Sequence, residues 1–274
     1  MAGRKGAAVV VDVASGRVLG AYALDRAGRR LVRPGSAIKP FVLATLIDAG
    51  LLQNEPGVRC SRMLTVAGRK LNCGHPETQS PLHAEEALAY SCNSYFTQMS
   101  ARLSGAQLQQ GLLKWGLSSR PGLVATEVAG KIGFSSTVEQ IELQGIGVEN
   151  VLVTPIGLLS GYRKLALERR ASADPLAAHA VVYSGMEASA QYGMARLAQP
   201  VDARYAGKPL RVAGKTGTSM AAEGLWTHGW FAGFAPADKP EIVVLVFLEH
   251  GTGPTDAAPV ARKLFEAWTA ESTQ

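Results

Sequence analysis

Residues 33–41 read RPGSAIKPF. A Pro-Gly turn signal leads into a serine and a lysine three residues apart, with an apolar pair between them. Three residues is nearly one helical turn, so in a helix Ser36 and Lys39 share a face, and the amine is close enough to take the hydroxyl proton. That is a nucleophile beside its base. Ser36 before Ala-Ile is also an acceptable helix N-cap, followed by an ordinary solvated lysine. The rest of the chain decides between these readings.

Working outward, Phe41, Leu43, Leu46, Ile47 and Leu51 keep helical spacing until Gly50 and Asn54-Glu55-Pro56 break it, which predicts a helix from Lys39 to Leu52. Upstream, AAVVVDV (7–13) and VLGAYAL (18–24) flank an SGR turn and predict a β-hairpin. Downstream, AEEALAYSCNSYFTQMSARL (84–103) is helical at both ends, but Ser91-Cys92-Asn93 in its middle prefer caps and turns. Such a local conflict predicts a break held for a purpose. Residues 105–200 carry short helical patterns joined by glycines and prolines. LRVAGKTGT (210–218), THGWFAGFAP (227–236) and EIVVLVFLE (241–249) predict strands, and Val260, Leu264, Phe265 and Trp268 restore helical spacing over 257–270. The order predicts an α+β fold, with an antiparallel sheet built from both chain ends, flanking helices and an inserted, mostly helical lobe. One domain is expected over 1–274, its α/β lobe at about 1–35 and 205–274 and its helical lobe at about 36–204.

Composition narrows the function classes. With 274 residues, 47% hydrophobic and 18% charged, the chain supports a substantial core and does not read as disordered. The net charge of +6 is scattered in pairs such as Arg29-Arg30 and Arg169-Arg170, without a long basic run or interleaved aromatics, so nucleic acid is not an expected partner. The opening MAGRKGAAVVVDV turns straight into a strand-like run, and no apolar stretch approaches 18 residues. As given, the chain carries neither an export signal nor a membrane span. Either it is cytosolic, or its leader or anchor lies in residues outside it.

Three cysteines make an odd set. Cys60 and Cys73 flank CSRMLTVAGRKLNC, a hairpin pattern with Ala67-Gly68 at its turn, so a disulfide or plain paired thiols is the expectation. No metal is expected. The alternative is zinc, with His75 added to the two thiolates and His83 a further candidate, although the spacing matches no regular zinc signature. His228 is read as structural, because no Gly-x-Ser-x-Gly elbow accompanies it.

Ser-x-x-Lys (36–39), Ser-x-Asn (91–93) and Lys-Thr-Gly (215–217) each occur once and in this order. The set is shared by β-lactamases and penicillin-binding proteins. With AAVVVDVASGRVLGAY (7–22), EALAYSCNSYF (86–96), LQGIGVENVLVTPIGLLSGYRKLA (143–166), KTGTS, HGWFAGFAP and EIVVLVFLEHG, the chain resembles a class B penicillin-binding transpeptidase domain over essentially its whole length. It departs at Gly145-Ile146-Gly147, where members commonly show Gly-Gln-Gly, and at Ile156-Gly157, where Leu-Gln is usual.

The resemblance implies a D,D-transpeptidase that cross-links peptidoglycan stem peptides through a Ser36 acyl-enzyme and needs no cofactor. Lys39 is the base, its pKa depressed by burial and by Lys215 as a neighbouring cation. Ser91 relays a proton, Asn93 holds the substrate amide, and Gly217 lets the strand approach the substrate. Thr216 and Thr218 offer hydroxyls to a terminal carboxylate, and the backbone N–H groups of Ser36 and Thr218 form the oxyanion hole. Implied partners are stem peptides, β-lactams and a glycan polymerase, with membrane contact only through a segment absent from this chain. The implied place of work is the periplasm or outer face of the cytoplasmic membrane. Two alternatives stand beside it. One is hydrolysis by a serine β-lactamase or D,D-carboxypeptidase, for which Glu139, Glu142 and Glu149 lie in no matching motif. The other is a β-lactam sensor that is acylated without turnover.

Overall fold

A computed structural model describes residues 1, 3–172, 174, 177–222 and 224–271 of the chain. The first hairpin is formed by β1 (Gly6–Asp12) and β2 (Val18–Tyr22). It ends two residues before its apolar run does, because Ala23 turns into the left-handed region and Leu24–Arg29 continues as helix α1. A 3₁₀ turn, Gly35–Ile38, carries Ser36 into α2 (Lys39–Asp48), and Gly50, also left-handed, stops that helix short of Leu52. The hairpin expected between Cys60 and Cys73 is β3 (Met63–Val66) with β4 (Arg69–Asn72).

The helical segments then follow as α3 (Ala84–Ala89), α4 (Asn93–Ser100) and α5 (Gly105–Lys114). Next come β5 (Lys131–Ile132), α6 (Val138–Gly145) and β6 (Val151–Leu152), with β5 and β6 paired. The long α7 (Pro155–Ala171) and α8 (Ala180–Gln191) complete the middle of the chain. Strands resume as the short pair β7 (Arg204–Tyr205) and β8 (Lys208–Pro209), then β9 (Ala213–Met220), β10 (Thr227–Ala235) and β11 (Ile242–Leu248), and α9 (Ala258–Glu271) closes the chain.

Five strands make the central sheet in the order β2-β1-β11-β10-β9, antiparallel throughout. Both chain ends therefore build it, as the sequence predicts. Every residue of β11 is buried, and the alternation of a strand sends Val243, Leu245 and Phe247 into one core and Ile242, Val244, Val246 and Leu248 into the other. The first core also takes Phe41 of α2 and Leu158 and Tyr162 of α7. The second takes Ala258, Ala261 and Phe265 of α9. A sheet covered on both faces needs apolar residues at every position, which is why EIVVLVFLE lacks polar alternation. Part of the middle of the chain also lies on this sheet, with α7 against β11, β10 and β1 and α8 against β9.

The topology leaves β9 as an edge strand, and the 3₁₀ turn of Ser36 packs along it. Trp230 of β10 stands opposite Gly217, and Ala232 opposite Lys215, so the pairing register fixes which β9 residues face the turn.

Candidate active site

The turn that carries Ser36 is locked from several sides. Gly35 has φ +52, and a Cβ there would lie 2.4 Å from the Thr218 carbonyl oxygen. Its N–H donates to the Gly147 carbonyl (3.1 Å), and a Cβ on Gly147 would in turn strike the Gly35 carbonyl. Tyr162 Oη donates to the Ala37 carbonyl at 2.8 Å, and Ser219 Oγ and Trp230 Nε1 both donate to the Arg33 carbonyl, at 2.7 and 3.2 Å. Residues outside the three motifs thus hold the nucleophile's backbone, and Tyr162, Ser219 and Trp230 are not singled out by sequence reasoning. A Gly-rich stretch in the middle of the chain hints at Tyr162, whereas Ser219 and Trp230 lie in the KTGTS and HGWFAGFAP segments without a chemical signal of their own.

Gly217 lines the cleft and has a further role beyond the one expected. A Cβ there would lie 2.5 Å from the Pro34 carbonyl oxygen and 2.8 Å from the Ala37 nitrogen. The missing side chain lets the strand approach the nucleophile turn.

Lys39 is fully buried one turn from Ser36. Its Nζ donates to the Ser91 carbonyl (2.7 Å) and Asn93 Oδ1 (2.7 Å), with Ser91 Oγ at 3.4 Å, and it stands over the Phe96 ring. Burial disfavours the ammonium and brings its pKa down to about 8, against a smaller opposing pull from the cysteines. Lys215 is also fully buried, and its Nζ donates to the Thr216 carbonyl at 3.0 Å. Burial first, then the charge of Lys39, pushes its pKa well below the ordinary lysine value. Burial is thus the leading cause of the downward shift of both amines, and a Lys215 charge is not among the causes acting on Lys39.

Ser91 has φ 58, a backbone state usually left to glycine. The Cys92 N–H bonds back to the Ala87 carbonyl and the Ser91 N–H to the Leu88 carbonyl, the paired bonds of a Schellman helix end with Ser91 at its left-handed position. This ends α3 and lets α4 start at Asn93, which explains the helix break. Asn93 Nδ2 donates to the Asn72 carbonyl (2.8 Å), joining the β3–β4 hairpin to the turn.

These groups converge on one cleft of about 220 Å³, walled by Ser36, Ser91, Asn93, Thr216, Gly217 and Thr218 together with residues such as Tyr90 and Met194. Thr218 is exposed, with its Oγ1 accepting from the Gly253 N–H at 3.1 Å, and Thr216 Oγ1 is 3.4 Å from the Met194 carbonyl oxygen. Both lysines lie buried rather than on the wall. A larger cavity of about 550 Å³ between the outer face of β1–β2 and α9 holds neither the serines nor the lysines of the motifs. His228 Nδ1 meets the Glu249 carbonyl (2.8 Å) and the ring packs on Phe247, so it acts within the sheet.

Of the two forms expected for the cysteines, neighbouring thiols are seen and a disulfide is not. Cys60, Cys73 and Cys92 are all free thiols, and Cys73 faces Cys92, Sγ to Sγ at 3.9 Å. The Cys92 contact holds the Cys73 thiol well below its ordinary pKa, and the same contact with burial pushes Cys92 up. His83 stands apart, paired with Glu55 near the surface.

Residues 6–266 match the family model of the penicillin binding protein transpeptidase domain. The chain is 26% identical over 288 residues to the peptidoglycan D,D-transpeptidase PbpA of Mycobacterium tuberculosis, an alignment covering 89% of this chain and 56% of that protein. It is 39% identical over 72 residues to the peptidoglycan D,D-transpeptidase MrdA of Acinetobacter baumannii, covering 21% of this chain and 11% of that protein. The chain thus spans about half the length (56%) of PbpA. Among solved structures it is similar to Pseudomonas aeruginosa PBP2 in complex with WCK 5153, with TM-score 0.82 and 24% identity over 97% of this chain and 74% of that one. It is also similar to the imipenem acyl-enzyme of M. tuberculosis penicillin-binding protein A, with TM-score 0.78 and 21% identity over 98% of this chain and 74% of that one. At these identities the structural likeness speaks for the fold. Fold, motif set and family match agree: this chain belongs to the penicillin-binding protein transpeptidase domain family.

Proposed function

We propose that the chain is the catalytic domain of a peptidoglycan D,D-transpeptidase, acting through Ser36. The observation that carries this reading is the convergence on one cleft of Ser36, the Ser91–Asn93 turn that holds the Lys39 amine, and the Lys215–Thr218 strand edge. Ser36 Oγ attacks the carbonyl carbon of the penultimate D-alanine, and its proton passes to the neutral Lys39 amine. The tetrahedral oxyanion rests on the backbone N–H groups of Ser36 and Thr218. The C–N bond then breaks, and Ser91 relays a proton onto the departing D-alanine nitrogen. The acceptor amine of a second stem peptide attacks the Ser36 ester, forms the new amide and returns the proton to Ser36. General-base transfer of this kind is worth about 10² to 10⁴ in rate.

Thr216 and Thr218 offer their hydroxyls to the substrate's terminal carboxylate, with Lys215 buried behind them. An incoming anion favours the protonated form of Lys215, against the burial that disfavours it. The division into an α/β lobe (1–35, 205–274) and a helical lobe (36–204) is part of this reading, with the cleft between them and α7 as the shared support. Donor and acceptor stem peptides and β-lactams are the ligands, a glycan polymerase the protein partner, and the periplasm or outer face of the cytoplasmic membrane the place of work. Among the described residues no helix is long and apolar enough to cross a membrane.

Hydrolysis on the class A pattern needs a carboxylate beside the acyl-enzyme. No Asp or Glu lines the cleft among the described residues, and Glu149 is engaged by Arg69 at 2.9 Å, which speaks against that pattern. The test supplies a thioester donor that mimics the stem-peptide end, with and without a D-amino acid acceptor. Transfer product lost in Ser36→Ala supports the reading. Hydrolysis product alone, unaffected by acceptor, would replace it with the carboxypeptidase reading.

A further inference from the structure

Cys60, Cys73, His75 and Cys92 bring one ligand atom each to within 4.8 Å of one another. Cys60 lies just before β3, Cys73 directly after β4, His75 two residues later, and Cys92 sits inside the catalytic Ser-Cys-Asn turn. We propose that these four residues form a tetrahedral zinc site that fastens the β3–β4 hairpin to the Ser91–Asn93 turn.

The donor set selects the metal. Three sulfurs and one imidazole suit zinc and repel the hard cations calcium and magnesium, which take oxygen. Spacing agrees as well. With Zn–S bonds of about 2.3 Å, two sulfurs of a tetrahedron stand about 3.8 Å apart. The Cys73–Cys92 separation is 3.9 Å, whereas a disulfide needs about 2.05 Å.

His75 supplies an independent observation. It is 1% exposed, and its Nδ1 lies 2.6 Å from the Pro76 carbonyl oxygen. A carbonyl only accepts, so Nδ1 carries the proton and Nε2 presents its lone pair, the tautomer a metal ligand requires. That Nε2 is buried without a hydrogen-bond partner. Backbone N–H groups already point at the sulfurs, from Asn93 to Cys73 (3.2 Å) and from Arg62 to Cys60 (3.4 Å), the type of contact that supports thiolates.

The hairpin also needs an anchor. It is an isolated two-stranded sheet, mostly exposed, with Met63 at 68%. Such a hairpin is marginal alone. Yet the Asn72 carbonyl at its end receives Asn93 Nδ2, so its position bears directly on the group that holds Lys39. A metal bound by both would fix that relation. Cys60, Cys73 and His75, none of which lines the cleft, are then positioning residues.

The experiment uses the full chain purified under reducing conditions, without a histidine tag or chelator, and assayed by elemental mass spectrometry. About one zinc per chain is expected. Cobalt exchanged for zinc should give intense thiolate-to-cobalt charge-transfer bands with the visible spectrum of a tetrahedral ion. Cys60→Ser and His75→Ala should each weaken zinc binding in competition with a chromophoric chelator. A reduced chain that takes up no zinc, a Cys73–Cys92 disulfide that persists when reductant and zinc are supplied, or zinc retained equally by a Cys60→Ser/Cys73→Ser double variant would each overturn the site. These readouts do not depend on the acyl-transfer reading. The fastening role does, and it predicts acylation by benzylpenicillin about tenfold or more slower in the zinc-stripped chain, restored by zinc. Unchanged acylation after verified zinc loss would refute that role while leaving the site.

Discussion

Replacing Gly217 by alanine tests how the edge strand and the nucleophile turn share space. The new Cβ would sit 2.5 Å from the Pro34 carbonyl oxygen, 2.8 Å from the Ala37 nitrogen and 3.0 Å from Ala37 Cβ, all on one side. Two of these are backbone atoms, so no side-chain rotation relieves the contact, and turn and strand must separate by about half an ångström to reach even a tight contact. The turn has little room to yield, because Tyr162, Ser219 and Trp230 hold the carbonyls of Ala37 and Arg33. Overpacking of this kind costs about 1–3 kcal/mol, or a few degrees in Tm for a chain of this size. A displacement approaching 1 Å between reacting groups costs about a hundredfold in rate. Gly217→Ala should therefore acylate with benzylpenicillin roughly tenfold to a hundredfold more slowly, with a modest fall in Tm. Gly20→Ala is the control, since nothing lies within 4 Å of its Cβ position. A Gly217→Ala chain with wild-type acylation rate and Tm would refute the close-approach argument.

The acylation rate should rise with pH and level off near pH 8. Burial brings the Lys39 pKa down to about 8, so below it only the minority neutral amine accepts the Ser36 proton, roughly a tenth at pH 7. A rate flat from pH 6 to 9 in stopped-flow acylation would contradict Lys39 as the base. Ser91→Gly should raise thermal stability by up to about 1 kcal/mol by relieving the left-handed residue, while slowing acylation about a hundredfold or more. Differential scanning fluorimetry and acylation kinetics on one sample should show the two moving apart, and loss of both would contradict the strain argument. Tyr162→Phe removes the donor to the buried Ala37 carbonyl and should cost about 1–3 kcal/mol, read by chemical denaturation, with acylation slowed as the turn loosens.

Much of the site was legible because short-range chemistry writes it. Ser36 and Lys39 are one turn apart, and Ser91 stands where a glycine belongs. The sheet was legible because both of its faces are covered, which forces continuous apolar runs in β1 and β11. What stayed hidden depends on distance in space. The neighbour of Gly217 is the Pro34 carbonyl, more than 180 residues away in sequence, so this close approach could not be read from the motif. That burial is the leading cause lowering both lysine pKa values depends on the folded surroundings, which no spacing reveals. Cys92 reads as part of a motif until the hairpin is folded back, and only then does it join the Cys60 and Cys73 that the hairpin pattern brings together. Similarly, α1 after β2 depends on a left-handed Ala23, a conformation its residue type does not announce.

The most direct test of the central claim is intact-mass analysis of the chain after benzylpenicillin, beside Ser36→Ala, followed through hours of washout. The account predicts one adduct carrying the full mass of the antibiotic, since ring opening expels nothing, which persists through washout and is absent from the variant. An adduct retained in Ser36→Ala, or no adduct on a folded wild-type chain, would contradict Ser36 as the nucleophile. Rapid return to the free mass would contradict transfer in favour of hydrolysis.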